Sequence, residues 1–397
     1  MERAEATPDV AIVGGGICGL TTALALERRG LTPTVYEAAA EYRPVGAGIL
    51  LQTNALLVLD RLGVAGRVQS AGLPLEESQI RSPDGRVLQR FDLDEVERED
   101  FDYGHVAIHR ADLQRILLDE LDADVRTGMA CDRIIDPDAP TVAFEDGTRV
   151  RPDVVVGADG IDSTVRDGVA PGVETRTLDS VAYRAVTSVA LPERHRAHGF
   201  EIWDRGTYTG GAPIDDERFY WFGTAPERLP SEAAGSQASV SALCDRFGEH
   251  PAPVPSIVDS LDGGDVIVTD LADVPALDRW SRGAVVLAGD AAHGMLPFAG
   301  QGAAQAIEDA LTLGHAIATH DDPDTAFDAY ERERKPRADR IRSESHRLGR
   351  LAASRSSVVA HARNLAFGLA PDALVRRFRR RRVVDTSLPE GTGSTEQ

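Results

Sequence analysis

A chain of 397 residues with 42% hydrophobic and 5% aromatic content is long enough for two or three lobes and has the make-up of an ordinary globular protein. No apolar run reaches the roughly 18–20 residues of a bilayer span, and residues 1–9 lack the basic and apolar regions of a signal peptide, so a cytoplasmic location is expected. The net charge of −21, with Lys335 the sole lysine, argues against nucleic acids and anionic membranes as partners and suits a high-salt cytoplasm, where screening weakens self-repulsion.

The apolar run at 9–13 reads as a buried parallel strand. Gly14-Gly-Gly16-Ile17-Cys-Gly19 follows, then a helix over 20–29 closed by Gly30, and a strand over 34–36 that ends at Glu37. This is a βαβ opening. A second glycine-rich loop spans 45–49, and a helix over 54–62 is stopped by Gly63. Residues 76–105 are polar and turn-rich, with a hairpin turn at Ser82-Pro-Asp-Gly85. An amphipathic helix covers 111–121, and short strands fill 125–156 around turns at 136–138 and 145–147. Residues 178–225 alternate apolar and polar and hold much of the aromatic content, as expected of an antiparallel sheet with one wall facing something. A helix-and-loop return covers 226–260. A buried strand at 284–287, a loop and a helix over 301–319 come next. A long charged helix over 325–349 and a last helical section near 355–382 complete the chain.

Cys18, Cys131 and Cys244 are widely spaced and form no CxxC pair, which points to reduced thiols and to no disulfide or metal site. The basic run 376–382 reads as a solvated helix end that pairs with the protein's own acidic surface.

Three motifs carry chemistry. In the first, Gly14 permits a tight turn, Gly16 lets backbone approach a pyrophosphate, and Gly19 allows close helix–strand packing. The helix start at Ile17 offers N–H groups and a partial positive charge. Glu37 can take both ribose hydroxyls, which disfavours a 2′-phosphorylated dinucleotide there. The second motif, Gly157-Ala-Asp159-Gly160-Ile-Asp-Ser-Thr-Val-Arg166, and the third, Gly289-Asp290 through Gly302, each follow a buried strand. Both put a glycine and a carboxylate at a strand's carboxyl end, where open α/β sheets bind ligands. Asp290 can accept hydrogen bonds from a polyol, and the helix opening near Gly302 can meet developing negative charge.

In this order the motifs resemble those of the FAD-dependent aromatic hydroxylases, which include para-hydroxybenzoate hydroxylase, salicylate hydroxylase and the tetracycline-inactivating monooxygenases. Val45-Gly-Ala-Gly-Ile49 with Asn54, Ile108-His-Arg-Ala-Asp-Leu113 and Ala304-Gln-Ala-Ile-Glu-Asp-Ala310 extend the resemblance over roughly residues 8–340. It implies an α/β fold with a Rossmann-like FAD-binding domain (1–75, 106–177 and 265–350), an antiparallel-sheet substrate domain (76–105 and 178–264) and a C-terminal helical segment and tail (351–397). Gly14, Gly16, Ile17 and Gly19 would cradle the FAD pyrophosphate, with Glu37 on the adenosine ribose. Arg110 would reach the pyrophosphate or ribityl region, and Asp159 with Gly160 would serve FAD and NAD(P)H. Asp290 would hold the ribityl chain, and Gly302 would face the flavin pyrimidine edge. Cys131 would contribute backbone to adenine, and Arg43 would lie near the cofactor.

The implied reaction uses NAD(P)H to reduce FAD, then O2 to form a C4a-hydroperoxide that transfers one oxygen to an aromatic or polycyclic hydrophobic substrate. The Pro297 and Phe298 loop would flank the flavin. His293 in the same loop reads as a structural hydrogen bond, so no catalytic side chain is assigned. Trp203, Tyr208, Tyr220 and Phe222 are the expected substrate wall, and a monomer or homodimer is expected. A halogenase would need a lysine near the flavin, and Lys335 lies in a late helix. A geranylgeranyl-reductase type would show a Tyr-x-x-Trp-x-Phe-Pro-like segment, against Phe219-Tyr-Trp-Phe-Gly223 here. It ranks second, and an FAD-stabilised sensor ranks third.

Overall fold

A computed structural model describes residues 9–43, 47–93, 103–192, 195–231, 238–383 and 388–389. Val45 and Gly46 of the second glycine-rich loop, and the acidic start at 1–8, lie outside the described residues. Continuous apolar sequence buried on both faces forms the middle of a six-stranded sheet, whose order is Ser281–Arg282, Val285–Leu287, Val154–Gly157, Val10–Val13, Thr34–Tyr36 and Asp124–Arg126. All its pairings are parallel except that of the two strands nearest residue 281. The helix Ile17–Glu27 is buried from Ile17 through Leu26. It tolerates Thr21 and Thr22 there because their hydroxyls donate to the carbonyls of Ile17 (2.6 Å) and Cys18 (2.8 Å).

A second sheet has seven strands: Ile267–Asp273, Arg176–Ser188, Arg218–Ala225, Tyr208–Pro213, His198–Trp203, Glu77–Arg81 and Val87–Asp92. The hairpin expected at 82–85 joins the last two, which add to the sheet through a parallel pairing with His198–Trp203. Period-two alternation sorts the aromatic residues by face. Tyr183, Phe200, Phe219 and Trp221 point into a core closed by the helices Val240–Phe247 and Val254–Asp259. Trp203, Tyr208, Tyr220 and Phe222 point the other way.

Two small sheets complete the β-structure. One joins Gly48–Leu51, His105–His109 and Leu73–Leu75, and the other joins Cys131–Ile135, Thr141–Phe144 and Arg149–Val150. The segment expected as a loop after Leu287 contains a short helix, Asp290–His293, and a 3-10 turn, Pro297–Ala299, before the helix Gly302–Thr319. The long helix runs over Pro323–Ala352, capped by the Asp322 side chain. The last helical section is two helices, Ser357–Leu369 and Asp372–Val383. Pro371 cannot continue the first of them. Among the described residues no helix is long and apolar enough to cross a membrane.

Candidate active site

The first glycine motif forms a cradle at the carboxyl end of the Val10–Val13 strand. Gly14 has φ +105°, and a Cβ there would lie 2.4 Å from the Ala158 carbonyl oxygen, so glycine is obligatory. A Cβ on Gly19 would meet the Gly14 oxygen at 1.9 Å, whereas one on Gly16 would meet nothing within 4 Å. Gly14 and Gly19 therefore serve the chain's own packing, and Gly16 opens onto free space. Gly16 is also the N-cap of the first helix and offers it no side-chain cap, which leaves helix N–H groups for an incoming anion. Gln114, from the Arg110–Asp119 helix, steadies the loop by donating to the Gly15 carbonyl (3.0 Å).

Glu37 accepts from the N–H groups of Gly15 (2.8 Å) and Ala39 (2.7 Å), and its remaining lone pairs can take hydroxyl donors. Tyr42, which the sequence did not single out, reaches the same spot. A Cβ on Gly15 would fall 2.1 Å from its hydroxyl, which is buried without a hydrogen-bond partner. Burial, reinforced by the charge of Glu37, pushes its pKa up to about 12, so it is a proton donor awaiting an acceptor. Arg43 turns away: it is exposed and ion-paired with Glu41 (2.8 Å).

Arg110 and Asp290 lie within electrostatic reach of each other. Both are solvent-exposed, yet burial raises the Asp290 carboxyl above the usual range, against the positive charges of His293 and Arg110. A carboxylate ringed by protein and still open to solvent sits on the floor of a cleft. Asp159 is committed elsewhere. It accepts from Ser163 Oγ (2.5 Å) and the Val165 N–H (3.1 Å), and burial raises its pKa. Arg166 then ties this motif to the third by donating to the carbonyls of Ala291 (3.2 Å) and Ile161 (2.8 Å). Gly160 stands in open space beside them. Burial, with the nearby charges of Asp159 and Asp132, pushes the Cys131 thiol up to about 12, so that side chain stays neutral and only its backbone has polarity to offer.

The segment up to Gly302 rests on a buried polar network. The Glu308 carboxylate takes Asn54 Nδ2 (2.5 Å), Gln305, Arg334 and both Arg337 donors (2.8 and 2.9 Å). Asp309 takes His293 Nε2 (2.5 Å), Arg334 Nε (2.8 Å) and the Gly289 N–H (3.0 Å). Burial alone would raise the Asp309 carboxyl, but the charges of His293 and Arg334 outweigh it and hold the pKa at about 2. Gln301 lies at the N-cap of the 302–319 helix, but its side chain is drawn into this network through Gln52 and Asn54. Gly302 therefore begins a helix with no side-chain cap.

Four aromatic residues were expected to form the substrate wall, and the structure corrects two of them. Trp203 and Tyr208 are only 2% and 4% exposed, packed against Phe298 and, for Trp203, against Phe367. Phe298 is itself buried here, so of that loop's pair only Pro297 is exposed. Tyr220 and Phe222 keep part of their surface open, and Arg184, the cross-strand neighbour of Phe222, donates to Thr269 Oγ1 (3.0 Å). Tyr220 lies directly over Gly48, whose Cβ would be 2.4 Å from it, and the neighbouring Ala47 carbonyl accepts the Arg110 N–H (3.1 Å). Tyr220 thus packs on the Gly48–Leu51 strand, while Phe222 meets Tyr208, which in turn meets Phe298.

This cradle fits an adenine dinucleotide: open backbone at Gly16, an unpartnered hydroxyl at Tyr42, free carboxylate lone pairs at Glu37 and an exposed Asp290. A sequence profile of the FAD binding domain matches residues 7–345. The chain is 33% identical over 344 residues to the aurachin C monooxygenase/isomerase of Stigmatella aurantiaca, covering 86% of this chain and 89% of that protein. It is 34% identical over 351 residues to a 3-amino-4-hydroxybenzoate 2-monooxygenase of Streptomyces platensis, covering 86% and 88%. Its fold matches HpxO of Klebsiella pneumoniae complexed with FAD and uric acid at a TM-score of 0.85, with 26% identity over 95% of this chain and 97% of that one. Fold and cleft define an FAD-binding oxidoreductase. The chain belongs to the FAD-dependent monooxygenase family that carries this FAD binding domain.

Proposed function

We propose that the protein inserts one atom of O2 into a planar, electron-rich aromatic substrate, with NAD(P)H as electron donor and water as the second oxygen product. Bound FAD supplies the redox and oxygen-activating chemistry, and the chain supplies position, orientation and a dry environment. Gly16 and the first helix's N–H groups would hold the pyrophosphate, with Tyr42 donating to it. Glu37 would hold the adenosine ribose, and Asp290 with Arg110 the ribityl and phosphate region. The uncapped helix start at Gly302 would face the pyrimidine edge, where negative charge gathers. Tyr220 and Phe222 would stack on the substrate, and the Arg184 guanidinium would hold a phenolate, enolate or carboxylate oxygen, which also keeps the ring electron-rich.

The observation that carries this reading is the junction at Gly48. There the half-buried ring of Tyr220 lies against the strand whose neighbour, Ala47, receives the Arg110 backbone N–H, which supports a substrate wall that adjoins the cofactor cleft. In the same reading, 1–75, 106–177 and 265–350 form the cofactor unit and 76–105 with 178–264 the substrate unit. The acidic and hydroxylated rings named for two of the similar proteins, 3-amino-4-hydroxybenzoate and uric acid, suit an arginine beside two aromatic faces. The test is NAD(P)H-dependent O2 consumption across a panel of hydroxylated aromatic and polycyclic compounds, with mass spectrometry of the products. A compound that stimulates consumption and gains one oxygen is expected. Stimulation by none of them, with hydride transfer to an added alkene under anaerobic conditions, would sink the proposal.

A further inference from the structure

The chain's exposed large hydrophobic side chains are distributed very unevenly. Eight are found among the described residues, and seven of them fall between Leu351 and Phe378. The eighth, Val87, borders a groove that Gly368, Val375 and Arg379 also line. On the Ser357–Leu369 helix, Ala360, Arg363 and Phe367 turn inward. Arg363 donates to the Trp203 carbonyl (2.9 Å) and lies over its ring, and Phe367 meets the same ring. The opposite stripe is Val358, Ala362, Leu365 and Leu369, spaced i, i+4, i+7, i+11, with Val358, Leu365 and Leu369 exposed by 75%, 57% and 71%. Leu374 and Phe378 continue it at i, i+4 on the last helix, both exposed. An amphipathic surface helix normally turns its apolar stripe to the core and its polar face to water. Here a second apolar stripe is turned to solvent.

Charge is segregated to the same place. Residues 340–383 hold twelve arginines against Glu344 and Asp372, a net of +10, so with −21 overall the other 353 residues carry −31. Arg347, Arg350, Arg377 and Arg381 are among those exposed. The expectation that this protein avoids anionic membranes rested on its total charge, and the total conceals this division.

We infer that the two C-terminal helices dock the protein on an anionic lipid surface. Leucine and phenylalanine side chains would enter the acyl boundary while arginines stay among the phosphates. The body, at −31, would be pushed away and face water. A second copy fits less well. Pairing the stripe with itself across a two-fold axis sets +10 against +10. Pairing it head to tail sets the stripe against a described surface whose only other exposed large hydrophobic is Val87. Nucleic acid would use the arginines and leave the stripe in water. Docking would also bring the lipid towards the remaining aromatic wall, because the inward face of the same helix packs on Trp203, Trp203 meets Tyr208, and Tyr208 meets Phe222.

The test is sedimentation of the full-length, FAD-loaded protein with vesicles of equimolar phosphatidylcholine and phosphatidylglycerol, and with vesicles of phosphatidylcholine alone. We expect binding to the mixed vesicles at least about tenfold tighter than to phosphatidylcholine, weakening with added salt. Leu365→Glu with Leu369→Glu should abolish it. Arg377→Glu with Arg381→Glu should weaken it by about tenfold or more. Because these side chains are exposed, flavin absorbance and thermal midpoint should not change in either variant, which separates loss of docking from loss of fold. Equal or absent binding to both vesicles would overturn the inference, as would full binding by the double leucine variant. A concentration-dependent dimer in light scattering that the leucine variant breaks, with no vesicle binding, would overturn it in favour of a second copy. Tight binding of an oligonucleotide that survives the leucine changes and fails with the arginine changes, again without vesicle binding, would overturn it in favour of nucleic acid.

Discussion

Two polar regions lie side by side in this molecule, and they differ in whether their hydrogen bonds are complete. Beneath the third motif, Glu308 and Asp309 are fully buried, and every carboxylate oxygen has a partner from Asn54, Gln305, His293, Arg334, Arg337 or the Gly289 backbone. In the cleft, the Tyr42 hydroxyl has no partner, the first helix has no side-chain cap, and Asp290 is open to solvent. A complete polar network is scaffold, because its groups have nothing left to offer a ligand. An incomplete one at the end of a parallel sheet is a site, because the ligand completes it.

That contrast can be broken from either side. The largest effect should come from Arg334→Met, which strands two buried carboxylates. Urea unfolding should show a loss of about 3–5 kcal/mol, whether or not FAD is present. Next come two glycines two residues apart, Gly14 and Gly16. Gly14→Ala should destabilise the apoprotein, since its Cβ would fall 2.4 Å from the Ala158 oxygen. Gly16→Val should leave the apoprotein's thermal midpoint unchanged while weakening FAD binding by on the order of 100-fold, about 2.7 kcal/mol. If Gly16→Val unfolded the protein and Gly14→Ala did not, the division of roles would be reversed. Tyr42→Phe is subtler. Removing an unpartnered buried hydroxyl should stabilise the apoprotein by about 1 kcal/mol and weaken FAD binding by roughly tenfold.

The smallest effect is in pH dependence. Asp309, held at about 2, favours the folded state above the unfolded carboxyl's pKa of about 4. That contribution is lost as pH falls from about 4 through 2. Asp309→Asn should therefore flatten the acid limb of the stability curve in that window. Asp290 is shifted in the opposite direction, so its ionised form disfavours the folded apoprotein near neutrality, and Asp290→Asn should not steepen the acid limb.

The glycine motif and the strand, turn and helix around it were legible because each follows from local geometry: a tight turn, a close crossing and a free helix end. The period-two alternation also put the right aromatic residues on the right face, with Phe219 and Trp221 on one side and Tyr220 and Phe222 on the other. It could not separate those with open surface from those covered by the chain itself. Trp203 and Tyr208 are covered by Phe298 and a C-terminal helix that arrives roughly 100 to 160 residues later in the chain. Tyr42 was missed because nothing local distinguishes it, and only the fold puts its hydroxyl over Gly15. The buried network left a readable trace. Glu308 and Asp309 stand together in a mostly apolar, buried helix, which requires cations opposite, and Arg334 and Arg337 at i, i+3 supply them. The basic run at 376–382 was visible, but its meaning depends on the exposed stripe beside it, which needs the two helices to be placed.

The decisive measurement is FAD titration into apoprotein prepared from the wild type and from Asp290→Asn, followed by calorimetry or flavin fluorescence, with the apoprotein melts recorded in parallel. The variant should bind FAD at least about tenfold more weakly, as the loss of one charge-assisted hydrogen bond would give, while its apoprotein is as stable as the wild type or more so. Wild-type affinity in the variant, or an apoprotein that melts well below the wild type, would place Asp290 with the scaffold and contradict the assignment of the open cleft to FAD.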